Sequence, residues 1–292
     1  MKFNQKTAEV LEHTPCVQEA GPIAFTIGTL VNDRPLYDDL VQSFVDGGFT
    51  NTDSEFLFID NSGEHQTCAY TGLNAILNTA RGRHVILCHQ DVVLLEDNRL
   101  KLEKVLSDLT IKDPTWALAG NAGGISPGQL ALRITDPHGA DQYVGELPAR
   151  VISLDENFII VRGDARLGFS HDLSGFHFYG ADICLNADIM GRNAYVVDFH
   201  LKHLSGGFKD KLFEEMQVAF RNKWSRALAP RWIQTTCSLM RLTGDPVGRI
   251  ASQIATRPYA KLSKMMAHDG GWKNSSGAKT ERKNVKCANA DR

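Results

Sequence analysis

The chain has 292 residues, of which 42 % are hydrophobic and 23 % are charged. These values are typical of a globular protein and exclude a wholly disordered chain, a coiled coil and a collagen-like chain. The net charge of −2 is the sum of two opposite parts, because residues 1–199 carry −13 and residues 200–292 carry +11.

The cysteine spacing and the hydropathy both bear on the compartment in which the protein is expected. The six cysteines form no C-x-x-C pair, so the sequence indicates neither a disulfide framework nor a zinc ribbon. No apolar run reaches the roughly 18 residues that span a bilayer. The residues after Met1 lack the apolar region of a secretory signal. We therefore expect a cytoplasmic protein with reduced thiols.

The first 120 residues alternate between strand and helix patterns. Residues 1–20 show little periodicity and are expected to form a lead-in. Compact apolar runs predict buried strands, and apolar residues at helical spacing predict the helices between them. The predicted strands are 23–30, 56–59, 84–88 and 116–120, and the predicted helices are 33–47, 67–80 and 100–109.

This order predicts the α/β class, with a mixed, mostly parallel sheet flanked by helices. In open sheets of this kind, ligands bind at the carboxyl ends of the strands. Polar residues stand at the ends of all four predicted strands, and we expect the functional site there. These residues are Thr29, Asp60–Ser62, His89–Asp91 and Asn121.

The pattern is less regular after residue 121. The glycines of residues 122–128 predict a flexible loop, and the apolar stripe of residues 208–228 predicts a long helix that packs on a core. A helix at a membrane surface is the alternative for residues 208–228. The other predicted elements are strand-like pieces at 149–153 and 157–161, a helix over 179–190 and a strand over 194–197.

The C-terminal part is basic. Residues 208–267 are predicted to form a basic helical extension, with one helix over 246–264, and residues 268–292 a disordered tail. The basic segment either makes peripheral contact with an anionic membrane surface or packs against the acidic part of the chain. We expect no nucleic-acid partner, because aromatic and basic residues do not interleave.

Three residues could hold a divalent cation. Asp91 follows a buried strand, and Mg²⁺ prefers carboxylate oxygens of this kind. His89 lies two residues earlier and points the same way if the strand continues. His203 follows the last predicted strand and could close the same site. Imidazole ligands shift the preference from Mg²⁺ toward Mn²⁺. A hydrogen-bonded structural role is the alternative for each histidine.

Other polar residues could act on a ligand. Asp60, Asn61 and Ser62 could accept hydrogen bonds from a base or ribose, or could close an Asx turn. Asp182 lies near a helix start, where the helix dipole favours a carboxylate, and could be a general base if it faces the cleft. The sequence has no P-loop, no G-x-G-x-x-G after the first strand and no G-x-S-x-G, which argues against kinase-like, dinucleotide-binding and α/β-hydrolase proteins.

The order of these segments over residues 22–207 resembles the GT-A glycosyltransferases, and among them the family-2-like group that uses nucleotide-sugar donors. Two positions depart from the family pattern, since His89 replaces the first Asp of D-x-D and Gly180 stands at the usual position of the base. The matching segments are 25–29 (first strand), 58–62 (V-D-N-S stretch), 73–82 (helix before the metal motif), 87–92 (D-x-D region), 154–162 (strand behind the acceptor site), 176–185 (helix with the base) and 203–207 (third metal contact).

The resemblance implies a GT-A domain over residues 21–207. It implies an inverting transfer of a sugar from a nucleotide-diphosphate donor, a UDP-sugar in the first place, to a glycan or lipid-linked acceptor in polysaccharide biosynthesis. It further implies Mn²⁺ or Mg²⁺ at Asp91, His203 and His89, and Asp182 as the catalytic base. The implied donor-binding residues are Gly28, Thr29, Asp60, Asn61, Ser62, Asn74 and Gln90.

Two other functions remain open on the sequence alone. A degenerate protein could bind a sugar nucleotide without turnover, since His89 and Gly180 depart from the family pattern. A nucleotidyltransferase with a similar α/β core is the other alternative, and it would need a second acidic metal ligand.

Overall fold

The computed structural model describes residues 23–207, 211–236, 239–248 and 250. Within them the chain forms five α-helices and fifteen strands. The helices are α1 (Arg34–Asp46), α2 (Ala69–Thr79), α3 (Arg99–Lys112), α4 (Tyr179–Ile189) and α5 (Lys211–Leu228). The strands are β1 (Phe25–Val31), β2 (Ser54–Asp60), β3 (His84–Cys88), β4 (Val92–Leu94), β5 (Trp116–Gly120), β6 (Ala122–Ser126), β7 (Gln129–Asp136), β8 (Gly139–Val144), β9 (Ala149–Val151), β10 (Ser153–Leu154), β11 (Phe158–Arg162), β12 (Asn193–Val196), β13 (Leu201–His203), β14 (Arg231–Gln234) and β15 (Leu239–Leu242).

The main sheet is mixed and has seven strands in the order β2-β1-β3-β11-β5-β12-β9. Strand β1 pairs in parallel with β2 and β3, and β12 pairs in parallel with β5. Strand β11 is antiparallel to both of its neighbours, and β9 is antiparallel to β12. Five of the seven strands therefore share one direction, and the predicted α/β class with a mixed, mostly parallel sheet is confirmed.

The reversed strand β11 determines which residues reach the carboxyl edge of the sheet. It lies between β3 and β5 and runs against both. The chain therefore enters β11 at the edge where β3 and β5 end. A hydrogen bond of 3.0 Å from the His89 amide to the Asn157 carbonyl joins the two strands at this edge. The residues just before β11 thus lie beside those that follow β3.

Helices cover both faces of the main sheet, as the sequence predicts. Helices α1 and α3 pack on one face and α2 and α4 on the other, and each face has its own buried apolar cluster. Along β3 the side chains alternate between the two clusters. Ile86 packs in the cluster beneath α1 and α3, and Leu87 packs in the cluster beneath α2 and α4. Burial of a side chain of this size stabilises the fold by about 1.5–3 kcal/mol.

The start of α1 agrees with its sequence signals. The Asp33 side chain accepts a hydrogen bond of 3.3 Å from the Leu36 amide, and Pro35 lies in the first turn. An N-cap of this kind contributes about 1 kcal/mol to helix stability. The helix ends at Asp46, directly before Gly47.

The strands predicted at 84–88 and 116–120 have those bounds in the structure. Strand β1 continues to Val31, which pairs with Asp60, so Asn32 and not Thr29 stands at its end. The flexible loop predicted over 122–128 is wrong, because residues 122–126 form β6 between β7 and β10. A Cβ atom at Gly123 would lie 2.4 Å from the Ser153 carbonyl, so this glycine permits the close approach of two strands.

A second sheet brings a histidine to the carboxyl edge of the first. Its strands follow the order β10-β6-β7-β13-β4, with β8 on the outside of β7. Strand β13 is antiparallel to β4, and His203 lies opposite Val92. This register places His203 beside Asp91, the residue before β4. Strands β4 and β13 are only three residues long, too short to show a periodic pattern, and neither is among the predicted strands.

The structure divides into two compact units, of which the first ends at Lys223 and the second begins at Trp224. In the first unit, Phe213 and Phe220 of α5 pack on Phe178, with ring centroids 4.8 and 5.5 Å away. In the second unit, β14 and β15 form an antiparallel pair. Among the described residues, no helix is both long and apolar enough to cross a membrane.

Several predictions concern residues outside the described part of the chain. They are the lead-in over 1–20, the start of the long helix at 208–210, most of the basic helix over 246–264, and the tail over 268–292.

Candidate functional site

A cavity of about 490 Å³ opens at the carboxyl ends of β1, β2 and β3. This volume lies within the range of small-molecule sites in proteins. A larger groove of about 1150 Å³ lies at the opposite edge of the sheet, and its lining does not include the His89 and Asp91 side chains. The smaller cavity is lined by Leu30, Asn32, Asn61, Gln66, Ala69, Leu73, Leu87, Cys88, His89, Gln90, Asp91, Glu156, Phe176, His177, Tyr179 and Ser205.

Three predicted metal ligands meet at this cavity. One ligand atom from each of His89, Asp91 and His203 lies within 4.8 Å of the other two. The Nε2 atom of His203 is 3.3 Å from Oδ1 of Asp91, 3.2 Å from Nδ1 of His89 and 3.2 Å from Oγ of Ser205. Two imidazole nitrogens and one carboxylate oxygen form a donor set that fits Mn²⁺ or another first-row divalent ion better than Mg²⁺.

A hydrogen-bond chain assigns the tautomer of His89. The Tyr179 hydroxyl donates to the Glu156 carbonyl at 3.1 Å, because a carbonyl oxygen only accepts. The same hydroxyl lies 2.8 Å from Nε2 of His89 and therefore accepts the proton of that nitrogen. In the neutral ring, Nδ1 then carries the lone pair, and it faces His203. A hydrogen-bond partner on the second ring nitrogen commonly orients a histidine that ligates a metal.

The electrostatics keep the cluster in a form that can bind a cation. Burial raises the pKa of Asp91, but hydrogen bonds from His203 and Ser205 outweigh burial and hold this pKa well below its usual range. Burial and then the proximity of His203 lower the pKa of His89. Near neutral pH the cluster therefore offers a carboxylate and a neutral imidazole, the forms that ligate a metal.

Two other predicted residues line the cavity as well. The Gln90 side chain accepts hydrogen bonds of 2.9 Å from the amides of Asn32 and Asp33, so it connects the end of β3 to the start of α1. The Asn61 side chain makes two hydrogen bonds of 2.8 Å with the backbone of Thr67 and closes the loop after β2. Both side chains shape the rim of the cavity.

Asp60 and Ser62 are exposed beside the cavity but do not line it. The Asp60 carboxylate accepts from the Ser62 amide at 2.9 Å and from its hydroxyl at 2.6 Å. This is the Asx turn that the sequence left open as an alternative. The exposed face of the turn is still available to a ligand.

Three further predicted donor-binding residues do not line the cavity, and the structure gives each a packing role. A Cβ atom at Gly28 would lie 2.4 Å from Cγ2 of Ile76, so this glycine lets α2 lie close to the sheet. Thr29 is fully buried, and its hydroxyl is 3.7 Å from Sγ of Cys88. Asn74 makes hydrogen bonds of 2.9 and 2.8 Å with the carbonyl and amide of Phe169.

The structure places Asp182, the predicted base, in the buried interior. Its side chain has no exposed surface and does not line the cavity. Its carboxylate accepts from the Ser170 hydroxyl at 2.7 Å, from the Ser170 amide at 2.8 Å and from Asn186 at 3.3 Å. These contacts hold the loop before α4, and the buried position keeps Asp182 from an acceptor hydroxyl in the cavity.

Glu156 provides a carboxylate that does line the cavity. Its Oε1 atom lies 3.5 Å from the Gly180 amide at the start of α4. Burial and then the neighbouring Asp155 carboxylate raise the pKa of Glu156 to about 8, although the amides of Gly180, Tyr179 and Phe178 lower it. In the sequence, Glu156 falls within the segment 154–162, and its place at the cavity depends on the reversed direction of β11, which the sequence pattern does not show.

No protein-family model matches the sequence. The mannosyltransferase PcManGT from Pyrobaculum calidifontis, in complex with GDP-Man and Mn²⁺, is similar with a TM-score of 0.44 and 12 % identity, over 72 % of this chain and 66 % of that chain. S. aureus TarS 1-349 in complex with UDP-GlcNAc is similar with a TM-score of 0.45 and 14 % identity, over 68 % of this chain and 67 % of that chain.

One curated protein is much more similar in sequence. The protein called ATP synthase subunits region ORF 6 from Fuscovulum blasticum is 35 % identical over 233 residues, which are 78 % of this chain and 94 % of the relative. The match covers nearly the full length of that relative, at an identity that indicates common descent. The chain therefore belongs to the same family as this ORF 6 protein.

Proposed function

We propose that this protein transfers a sugar from a nucleotide-diphosphate donor, in the first place a UDP-sugar, to a hydroxyl group of a glycan or lipid-linked acceptor. We further propose that the transfer inverts the anomeric carbon. The observation that carries the proposal is the cluster of His89, Asp91 and His203 beside a cavity at the carboxyl edge of the sheet. The motif order over residues 22–207 supports the same activity.

The donor set fits a divalent cation. A cation held by His89, Asp91 and His203 would supply positive charge for the diphosphate of the donor and its leaving group. The Ser205 hydroxyl lies 3.2 Å from His203 and hydrogen-bonds to the Asp91 side chain, so it orients two of the three ligands. The protein thus holds the side chains that would ligate the cation in place before the donor binds.

The rim of the cavity supports a nucleotide as the other part of the donor. The Asn61 side chain hydrogen-bonds to the Thr67 backbone, and the Gln90 side chain accepts from the Asn32 amide. Both side chains are therefore held in place before a ligand binds. The exposed Asp60 carboxylate can accept hydrogen bonds from a base or a ribose. Fixed polar groups in a cavity reduce the entropy lost on binding.

Calorimetric titration of UDP with and without Mn²⁺ tests the proposal. We expect micromolar binding that requires Mn²⁺ and disappears in Asp91→Ala. Asp38→Ala is the matched control, because it removes an exposed carboxylate on α1 outside the cavity. Donor screening by hydrolysis of UDP- and GDP-sugars then identifies the sugar.

The outcomes separate the candidate functions. Metal-dependent binding together with hydrolysis of a donor supports a transferase. Binding without turnover of any donor supports a protein that only binds sugar nucleotides. Absence of binding for UDP, GDP and other nucleoside diphosphates would contradict both.

The basic C-terminal part supports a proposal on location. Residues 200–292 carry a net charge of +11, which attracts an anionic surface. We propose that the protein acts in the cytoplasm, in polysaccharide biosynthesis, with peripheral contact to an anionic membrane. Sedimentation with phosphatidylglycerol vesicles should show binding that weakens as salt rises, and equal binding to neutral vesicles would contradict this.

A further inference from the structure

We propose that Glu156 is the general base of the transfer, in the place that the sequence assigned to Asp182. This inference rests on the proposed function. Three observations carry it: the lining of the cavity, the structure of the first turn of α4 and the surroundings of Asp182.

Glu156 and Asp91 both contribute a carboxylate to the cavity. The cavity is lined by both side chains, and its lining contains no other Asp or Glu among the described residues. The reversed strand β11 begins two residues later, so the chain places Glu156 at the edge where the predicted metal ligands lie. An acceptor hydroxyl that enters this cavity therefore meets one carboxylate in the metal cluster and one outside it.

The first turn of α4 has no room for its own acidic side chain at position 180. A Cβ atom there would lie 2.3 Å from the Leu154 carbonyl and 3.3 Å from Cγ of Glu156. The Glu156 side chain thus covers the position from which an α4 carboxylate would project. Its Oε1 atom faces the Gly180 amide at the helix N-terminus, where the helix dipole favours a negative charge.

Asp182 is engaged elsewhere. Both of its carboxylate oxygens accept hydrogen bonds from Ser170, and its side chain has no exposed surface. Proton transfer requires the base within hydrogen-bond reach of the acceptor, or one water away. Glu156 meets the requirement of access to the cavity, and Asp182 does not.

The proposed step balances as follows. In its deprotonated form, which predominates above the pKa of about 8, the Glu156 carboxylate takes the proton of the acceptor hydroxyl while the acceptor oxygen forms a bond to the anomeric carbon. The bond between the anomeric carbon and the diphosphate oxygen breaks, and the nucleoside diphosphate leaves with the electron pair. With water as acceptor, the same step is donor hydrolysis.

The test compares Glu156→Gln with the wild-type protein, with Mn²⁺ and the UDP- or GDP-sugar that the wild type hydrolyses fastest. We expect an unchanged affinity for UDP with Mn²⁺, within about twofold, and a kcat lower by about 10²- to 10⁴-fold. Asp108→Asn, which removes an exposed carboxylate on α3, should keep the wild-type kcat. Thermal unfolding of each variant checks the fold.

Glu156→Ala with sodium azide supplies a second readout. Azide is already an anion and attacks the anomeric carbon without a base, so it should restore donor consumption and give a glycosyl azide. A structural role alone would not produce this rescue. Turnover in Glu156→Gln at the wild-type rate, or no azide product in Glu156→Ala, would overturn the assignment while the proposed function stands. If the wild type binds no nucleoside diphosphate, the proposed function fails and the assignment falls with it.

Discussion

The Tyr179 hydroxyl lies 2.8 Å from Nε2 of His89 and links the first helical residue of α4 to the end of β3. Because the hydroxyl gives its own proton to the Glu156 carbonyl, it fixes which ring nitrogen of His89 carries a hydrogen. The Tyr179 hydroxyl thus orients His89, one of the three ligands of the proposed cation site.

Removal of this hydroxyl should weaken metal binding. In Tyr179→Phe, His89 loses the acceptor for its Nε2 proton, so the ring orientation and tautomer are no longer held. We expect Mn²⁺ affinity to fall by about 10- to 100-fold in a calorimetric titration. Tyr195→Phe removes another buried phenol, which binds Asp113, and should leave the affinity unchanged. Equal affinities in all three proteins would show that Tyr179 is only a packing residue.

The choice of metal should depend on His89. Two imidazoles and one carboxylate favour Mn²⁺ over Mg²⁺, whereas carboxylates favour Mg²⁺. We expect the wild type to bind Mn²⁺ at least about tenfold more tightly than Mg²⁺, and His89→Asp to narrow that ratio. His138→Asn changes an exposed histidine and should leave the ratio unchanged. A ratio that is the same in His89→Asp and the wild type would exclude His89 as a ligand.

Asp182 should contribute to stability. In the wild type, the Asp182 carboxylate accepts hydrogen bonds from the amide and the hydroxyl of Ser170. In Asp182→Asn, the side-chain NH₂ group replaces one of these acceptor oxygens and faces a Ser170 donor. We therefore expect the free energy of unfolding to fall by about 1–3 kcal/mol. Urea unfolding of Asp182→Asn, Ser170→Ala and the double variant measures the coupling between the two side chains. Wild-type stability with lost turnover in Asp182→Asn would return the base to this residue.

Acid should destabilise the protein through His84. Burial and then Arg83 lower the pKa of His84 from 6.5 to about 4, and its ring stacks on Trp116. Between these values the unfolded state binds the additional proton, so the stabilisation is present above pH 6.5 and is lost as the pH falls toward 4. The loss amounts to at most about 3 kcal/mol.

Urea unfolding at several pH values measures this effect. His84→Phe keeps a ring beside Trp116 and should show a shallower loss of stability between pH 6.5 and 4. His65→Phe, at an exposed position, serves as the control. Parallel curves for the wild type and His84→Phe would contradict the assignment.

The sequence predicts the parallel core of the fold well, because buried strands and amphipathic helices have strong periodic patterns. The bounds of β3 and β5 follow from uninterrupted apolar runs. Strand β6 was missed because its glycines resemble a loop, although in the structure they permit close contact with β10. Strand order is a tertiary property, and the alternating pattern does not show that β11 lies between β3 and β5.

The residues of the candidate site also differ in how well the sequence predicts their positions. His89, Gln90, Asp91 and Asn61 follow strands whose ends the sequence locates, and each lines the cavity. The position of Glu156 depends on the direction of β11, and the burial of Asp182 depends on the loop at Ser170, which no local pattern predicts. The polar residues at the strand ends therefore predict the edge of the sheet that carries the cavity, whereas the individual side chains that face the cavity depend on tertiary structure.

The position of β11 also constrains the order in which the chain can fold during synthesis. Strands β3 and β5 join one sheet only through β11, which leaves the ribosome after all of β6 to β10. A nascent chain that ends before Phe158 can pair β1 with β2 and β3, but β5 has no partner on that side. Insertion of β11 closes this gap and, in the same event, joins the Asn157 carbonyl to the His89 amide. The side chains of His89, Asp91 and His203 can therefore come together only after β13, which follows β11 in the chain, has been synthesised.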